Sequence, residues 1–355
     1  MSLDEKGLSI VSIGGGTGLS TLLSGLKHFV SSEARRIKSA ENPRVESLTA
    51  VVTVTDDGGS SGRLRKEFQI LPPGDIRNCM VALAEDERLL TRLFQYRFAS
   101  DGELSGHSFG NIFLAALAGV TGDFVEAIKV TSEVLAIKGR IYPSTTEDVT
   151  LVAELEDGRV VKGETRISES RSRVKKLWLS HEDCRPVQAT LEAIAKADMI
   201  TIGPGSLYTS IVPNLLVHGV ADAIRDSRAL KVYIANIMTQ PGETDGFDLD
   251  DHVRVLREHS PDLKLDYVVV NTAKISAALR EKYLAEGAVQ VALKRSKRAK
   301  NYADDYRLII GDLLNQNAVV RHDPIKLAEL LLSIYNTKLA DLDESAARTT
   351  APAQS

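Results

Sequence analysis

Six glycine- or hydroxyl-rich segments hold the residue types that handle anions and sugars. The first is GGGTGL, with Gly14, Gly15, Gly16, Thr17 and Gly18 between an apolar run and a leucine-patterned segment. A glycine turn from strand into helix lets a ligand approach the backbone closely. The helix that follows offers free N–H groups and its positive dipole end to a phosphate. Leu19 stands where a G-x-G-x-x-G fingerprint has its third glycine, and no Lys follows as in a P-loop. The motif therefore reads as a phosphate site, with a plain tight turn as the alternative.

The second segment, residues 53–65, is TVTDDGGSSGRLR. Asp56 and Asp57 offer carboxylates to a divalent metal or a sugar hydroxyl, while Gly58, Gly59, Ser60, Ser61 and Arg63 supply amides, hydroxyls and a cation for phosphate; a solvated turn is the other reading. In PPGDIRNC, Asp75 either caps a helix carrying Arg77 and Asn78 or is a ligand itself. In SGHSFGN, His107, Ser108 and Asn111 precede an Ala-rich helix. No G-x-S-x-G elbow surrounds them, which favours capping and ligand hydrogen bonds over a nucleophile. GPGSLYTS offers Gly203, Gly205, Ser206, Tyr208 and Thr209 to a second phosphate or a ribose. NIMTQPGETDG offers Asn236, Thr239, Gln240, Glu243 and Thr244 to a base or sugar. Arg321, before a capped helix, is a ligand arm or a surface cation, and the basic run KRSKRAK at 294–300 reads as a solvated loop.

These loops need a scaffold that brings them together. Apolar runs at 8–14, 48–54, 199–202, 230–237 and 265–270 read as buried strands, with weaker strand candidates at 289–293 and 308–310. Helical patterns lie between them at 76–85, 88–98, 111–118, 124–135, 187–197, 249–259, 274–286 and 324–335. This alternation predicts an α/β fold with a mostly parallel sheet covered on both faces. In such a sheet the parallel strands end on one edge, so the Gly-rich loops converge on one crevice. Residues 141–180 alternate with a period of two around Asp157 and Gly158, which predicts a small β-rich hairpin or meander. The expected plan is an N-terminal half over 1–140, the insertion over 141–181, a C-terminal half over 182–338 and a disordered tail over 339–355. The polar stretch 31–47 is expected to be a mobile connector.

Composition sets the bounds. With 355 residues, 43% hydrophobic and 26% charged, the chain can bury a core, and its formal charge of −4 gives no global field for nucleic acid or an anionic membrane. There is no run of about 18 apolar residues. Cys79 and Cys184 are too few for a disulfide framework or a four-thiolate zinc site, and the N-terminus lacks a signal-like pattern, so the expected location is the cytoplasm. A local anion site built from amides survives all of this, because more than half of the 25 glycines lie in the loops above.

Taken in order, GGGTGL, TVTDDGGSSGRLR, PPGDIRNCMVALA, HSFGN, GPGSLYTSIVPNLL and NIMTQPGETDGFD resemble the gluconeogenesis-factor (YvcK) family of bacteria, within the larger group typified by the 2-phospho-L-lactate transferase CofD. The resemblance spans about residues 8–335. It implies a three-layer α/β/α Rossmann-like fold with strand order 3-2-1-4-5-6. It also implies binding of UDP-sugars such as UDP-N-acetylglucosamine or UDP-glucose, and a role in cell shape and envelope synthesis on gluconeogenic carbon sources. In the transferase branch, Mg²⁺ and aspartates matching Asp57 and Asp75 serve transfer of a phospholactyl group, and Arg321 falls where the YvcK branch uses an arginine for the nucleotide sugar. One departure is that Pro324 follows Asp323 where the family's phosphorylated threonine region lies; Thr337, Thr349 and Thr350 are the nearest hydroxyls.

Two readings follow. One is a non-catalytic nucleotide-sugar-binding regulator, expected to be a homo-oligomer, without nucleic-acid or membrane partners. The other is a Mg²⁺-dependent transferase with Asp57 and Asp75 on the metal, which needs positioning and charge neutralisation more than a protein nucleophile. NAD or another nucleotide is a weaker ligand expectation, because the acidic pair lies about 40 residues past the glycine loop, where a dinucleotide site has its acid after about 20.

Overall fold

The computed structural model describes residues 7–30, 44–85, 88–99, 101–293, 306–316 and 319–350. In chain order the strands are β1 (Leu8–Gly14), β2 (Val45–Val52), β3 (Arg140–Pro143), β4 (Leu151–Leu155), β5 (Val160–Lys162), β6 (Val174–Leu179), β7 (Met199–Ile202), β8 (Leu230–Ile234), β9 (Tyr267–Asn271), β10 (Arg307–Gly311), β11 (Leu314–Gln316) and β12 (Val320–His322). The helices are α1 (Gly16–Leu26), α2 (Gly59–Phe68), α3 (Gly74–Leu83), α4 (Arg88–Gln95), α5 (Phe109–Thr121), α6 (Phe124–Val134), α7 (Glu164–Glu169), α8 (Gln188–Lys196), α9 (Val212–Leu216), α10 (Val220–Asp226), α11 (Leu249–His259), α12 (Ala277–Ala285) and α13 (Pro324–Thr350), with a π-helical turn over Leu207–Ile211.

Seven parallel strands form the main sheet in the order β10-β9-β8-β7-β1-β2-β3, flanked by helices as a three-layer α/β/α stack. Counted along the chain, this is the expected order 3-2-1-4-5-6 with β10 added as a seventh strand. The inner strands read as unbroken apolar runs because both faces are covered: every residue of β7, β8 and β9 is buried. Helix α1 presents Leu19, Leu22, Leu23 and Leu26 at helical spacing, each fully buried. Its other neighbour is α13, and a side chain at Gly25 would run into the Pro324 carbonyl.

Several expectations change. Residues 140–143 are not the start of the insertion but β3, the edge strand beside β2, where a terminal Pro143 is tolerated because an edge has no further partner. The insertion's own sheet is antiparallel, in the order β5-β4-β6, with its hairpin at Asp157 and Gly158 as expected. The alternation does not run on as strand, however, because Gly163 at φ 105° turns the chain into α7. Residues 289–293 form no strand; Gln290 makes a single bridge to Met238. Val45 already belongs to β2, so the expected mobile connector ends earlier, and residues 31–43 lie outside the described part. The expected tail is helical through Thr350, because its Ala, Leu and Glu content favours propagation of a helix already nucleated by packing. Asp323 starts that helix, its carboxylate accepting from the amides of Ile325 and Lys326.

No single helix among the described residues is long and apolar enough to cross a membrane. The pair Leu207–Leu216 and Val220–Asp226 is apolar enough together, but it bends by 80° and contributes most of its side chains to the core.

Candidate functional site

At the carboxyl edge of the sheet, β1 hands over to α1 through Gly15, in extended backbone, and Gly16 at φ 60°. The N-cap residue of α1 supplies no side chain, and of the first turn the Gly16 amide goes to the Asp75 carboxylate, which leaves Thr17 and Gly18 at the crevice. The loop after β7 closes on it from the other side. A side chain at Gly18 would strike the Pro204 carbonyl and lie 2.8 Å from the Gly205 Cα. Gly18 is thus explained first by how tightly the two loops pack. Between them opens a cleft of about 190 Å³, lined by Gly15 to Gly18, Ser206, Ser210, Asn236, Gln240, Arg321 and His322.

Its polar wall is held by a chain of hydrogen bonds. The Gly205 amide donates to Asn236 Oδ1 at 3.2 Å, Asn236 Nδ2 to Gln240 Oε1 at 3.4 Å, and Gln240 Nε2 to Ser206 Oγ at 2.6 Å. Arg321, exposed on β12, brings the cleft a cation. Beside it His322 is 6% exposed, its Nε2 has no partner among the described residues, and burial pushes its imidazole down to about 4. It is therefore a neutral polar group at neutral pH.

The acidic half of the crevice differs from the expected arrangement. Asp75 is not a cap: Pro73 holds the N-cap position of α3, and the Asp75 carboxylate crosses to accept from the Gly16 amide. Burial and then the nearby charge of Asp56 raise Asp75 from 3.8 to about 6. Asp56 Oδ1 accepts from the Gly58 amide at 2.9 Å, and its other oxygen lies against Gly74. Asp57, the expected metal ligand, points the other way. Its Oδ1 accepts from the Thr165 amide at 2.9 Å and from Thr165 Oγ1 at 2.7 Å, anchoring α7 of the insertion. With Oδ1 committed to two donors at a helix start, Asp57 docks the insertion, while Asp56 is the neighbour whose charge bears on Asp75. The insertion returns an acid in exchange. Glu164, which nothing in its sequence context marked, is held well above the usual carboxylate range by burial and by Asp56, Asp75, Glu243 and Asp57. No three His, Cys, Asp or Glu side chains among the described residues converge at ligand spacing. Asp56 and Asp75 nevertheless suit a Mg²⁺ that keeps waters and phosphate oxygens as its remaining ligands.

The remaining candidates divide. Ser108 caps α5, accepting from the Asn111 amide at 3.2 Å. The hydroxyl on His107 is that of Ser60, at 2.9 Å from Nδ1, with Asn111 Nδ2 donating to the same Oγ at 3.2 Å. Burial and then Arg63 lower the His107 imidazole, which keeps it neutral. Arg63 is tied to the Ser105 carbonyl and Asn78 accepts from Arg77, so both support neighbouring loops. Gly59 takes φ 44° at the start of α2, and Ser61 lies against Gly74 beside Asp56. Thr239 is buried and accepts from the Val289 amide. Thr209 donates to Glu243 Oε1 at 3.4 Å. Tyr208 leaves the crevice altogether and packs edge-on against Phe247 and His259 in a second groove. Ser210 and His322 were not anticipated in the cleft. The basic run 294–300 lies outside the described residues.

Comparison with known proteins places these features in a family. Residues 10–314 match the family model described as 2-phospho-L-lactate transferase CofD. The chain is 46% identical over 341 residues to a "Putative gluconeogenesis factor" of Aquifex aeolicus, covering 94% of this chain and 98% of that protein. It is 44% identical over 326 residues to the "Gluconeogenesis factor" of Bacillus subtilis, covering 92% and 97%. A solved structure from Bacillus halodurans, described as a member of the UPF0052 family, superposes with a TM-score of 0.84 at 45% identity, over 92% of this chain and 99% of that one.

Proposed function

The chain belongs to the CofD family and within it to the gluconeogenesis factors, and from that premise we propose that its crevice binds a nucleotide diphosphate sugar of the UDP-N-acetylglucosamine or UDP-glucose type. The observation that carries the reading is the one cleft in which Thr17 and Gly18 of the α1 start, the 203–206 loop and Arg321 meet. The amides of Thr17 and Gly18 at the α1 start and of Ser206 hold the diphosphate, with Arg321 as the cation. Asn236 and Gln240, already oriented by each other and by Ser206, address the uracil or the sugar. The protein acts as a sensor of the nucleotide-sugar pool, supporting cell shape and envelope synthesis during growth on gluconeogenic carbon sources.

A second reading is favoured by one feature, the raised Asp75 beside Asp56. Mg²⁺ held by these two carboxylates would neutralise phosphate charge, and an acceptor hydroxyl would take a phospholactyl-type group from a nucleoside diphosphate-linked donor, the P–O–P bond breaking to release nucleoside monophosphate. In that reading Asp56 and Asp75 bind, Gly16 holds Asp75 in place, and Glu164 closes the acidic end.

Calorimetry decides between them. Titration with UDP-N-acetylglucosamine, GDP and NAD, with and without Mg²⁺, is expected to give heat with the UDP-sugar, reduced tenfold or more in affinity by Arg321→Ala. Silence from every UDP-sugar refutes the first reading. Metal-dependent product from a donor and acceptor, lost in Asp56→Asn and kept in Asp57→Asn, establishes the second.

A further inference from the structure

A second cavity, larger than the crevice, lies elsewhere on the described structure. A groove of about 660 Å³ runs between β6 of the insertion and the helices α9 and α11. Every residue from Arg173 to Leu179 lines it. Successive side chains of a strand point to opposite faces, so a cavity that touches all of them runs along the strand's edge and not over one face. That edge is open: β6 is the last strand of its sheet and pairs only with β4. The far wall is a set of edge-packed rings, Tyr208, Phe247 and His259.

We propose that this groove captures an extended peptide segment of another protein, which adds as a fourth strand to the free edge of β6. Strand addition draws affinity from main-chain hydrogen bonds and specificity from pockets for alternate side chains. Six residues of β6 span about 20 Å, enough for a segment of that length.

The charges define the segment. Lys175 is paired with Glu154, and Arg254 with Asp251 and Glu258. The Arg173 guanidinium donates to the Asp245 carbonyl at 3.4 Å, at the end of the strand where the Glu156 amide donates to the Arg173 carbonyl. Lys176 remains, held 5.9 Å over the Trp178 ring with no carboxylate partner among the described residues. Past the strand's end lies Glu182. The matching segment carries an acidic residue opposite Lys176, an apolar or aromatic residue against Trp178 and a basic residue near Glu182. The register shift that leaves the Lys175 backbone without an opposite residue on β4 is a device that natural edges use against indiscriminate pairing. Here it leaves 176–179 as the regular stretch for a chosen segment.

Trp178 is the chain's one tryptophan, so its emission reports the groove directly. Random ten-residue peptides displayed on phage are panned against the full chain, and the recovered sequences are synthesised and titrated by Trp178 fluorescence. The expected result is acidic-apolar peptides that shift the emission and lose at least tenfold in affinity when alternate amides are N-methylated, a change that spares the side chains. Lys176→Glu, an exposed substitution checked by thermal melt, weakens them by the same order, and a peptide with its acid replaced by Lys recovers binding to that variant. A library without such peptides, N-methylated peptides that bind as the parents do, or self-association of the chain through this edge each overturns the proposal. The test does not involve the nucleotide cleft, so its outcome is independent of what that cleft binds.

Discussion

Asp75 shows what the site costs the fold. Its carboxyl is held at about 6 against an ordinary 3.8, so between those pH values the folded chain keeps a proton that the unfolded chain releases. Stability from this group is therefore fully present below about 3.8 and falls as pH rises to about 6, remaining low above that. At about 1.4 kcal/mol per unit the loss at neutral pH is on the order of 3 kcal/mol. Asp75→Asn, which can still accept from Gly16, is expected to raise the melting temperature at pH 7.5 and to change it little at pH 4; equal shifts at both values would contradict this. The companion substitutions Asp56→Asn and Asp57→Asn separate the two neighbours, the first weakening any Mg²⁺-dependent affinity and the second leaving it near wild type. Which of the two faces the crevice was not legible in the sequence. Adjacent residues leaving a strand diverge, and the donor that claims Asp57 lies 108 residues away in the insertion. Glu164 was invisible for the same reason, since its neighbours are acids brought in from three other segments.

At the level of elements, the glycine loop and the leucines of α1 were legible because each states its own geometry. The edge strand β3 was not, because an edge need not be apolar throughout and RIYP carries no alternation long enough to read. Helix α7 hid inside a period-two pattern until Gly163 ended it. Two predictions belong here. Gly18→Ala pushes α1 off the 203–205 loop and is expected to lower nucleotide-sugar affinity at least tenfold by calorimetry. Gly25→Ala drives a methyl into Pro324 at the α1–α13 crossing and is expected to cost about 1–3 kcal/mol in denaturant unfolding while sparing the cleft's ligand preference. For α7 the expectation is local: Asp57→Ala removes both of its Thr165 bonds, and amide exchange over 163–170 rises while β7 to β9 keep their protection.

Across the whole molecule, the parallel sheet and the gathering of the loops on one edge followed from strand and helix alternation, a property of the chain as a whole, while the strand order came from the family resemblance. The second groove did not, since an edge strand is defined by what fails to pair with it. Between the two cavities stands the π-helical turn Leu207–Ile211. Ser206 and Ser210 face the cleft, while Tyr208 floors the groove. Glu243 fastens the turn by accepting from the Tyr208 amide and the Thr209 hydroxyl, and it also takes a bond from Ser168 of the insertion. One wall thus serves two rooms. If occupancy of one side rotates that wall, thermodynamic reciprocity fixes the exchange: the factor by which a bound peptide changes nucleotide-sugar affinity equals the factor by which the nucleotide sugar changes peptide affinity. Measuring both factors in the wild type and in Glu243→Ala, where the fastening is gone, tells whether the protein relays the state of its ligand to a partner or merely holds the two side by side.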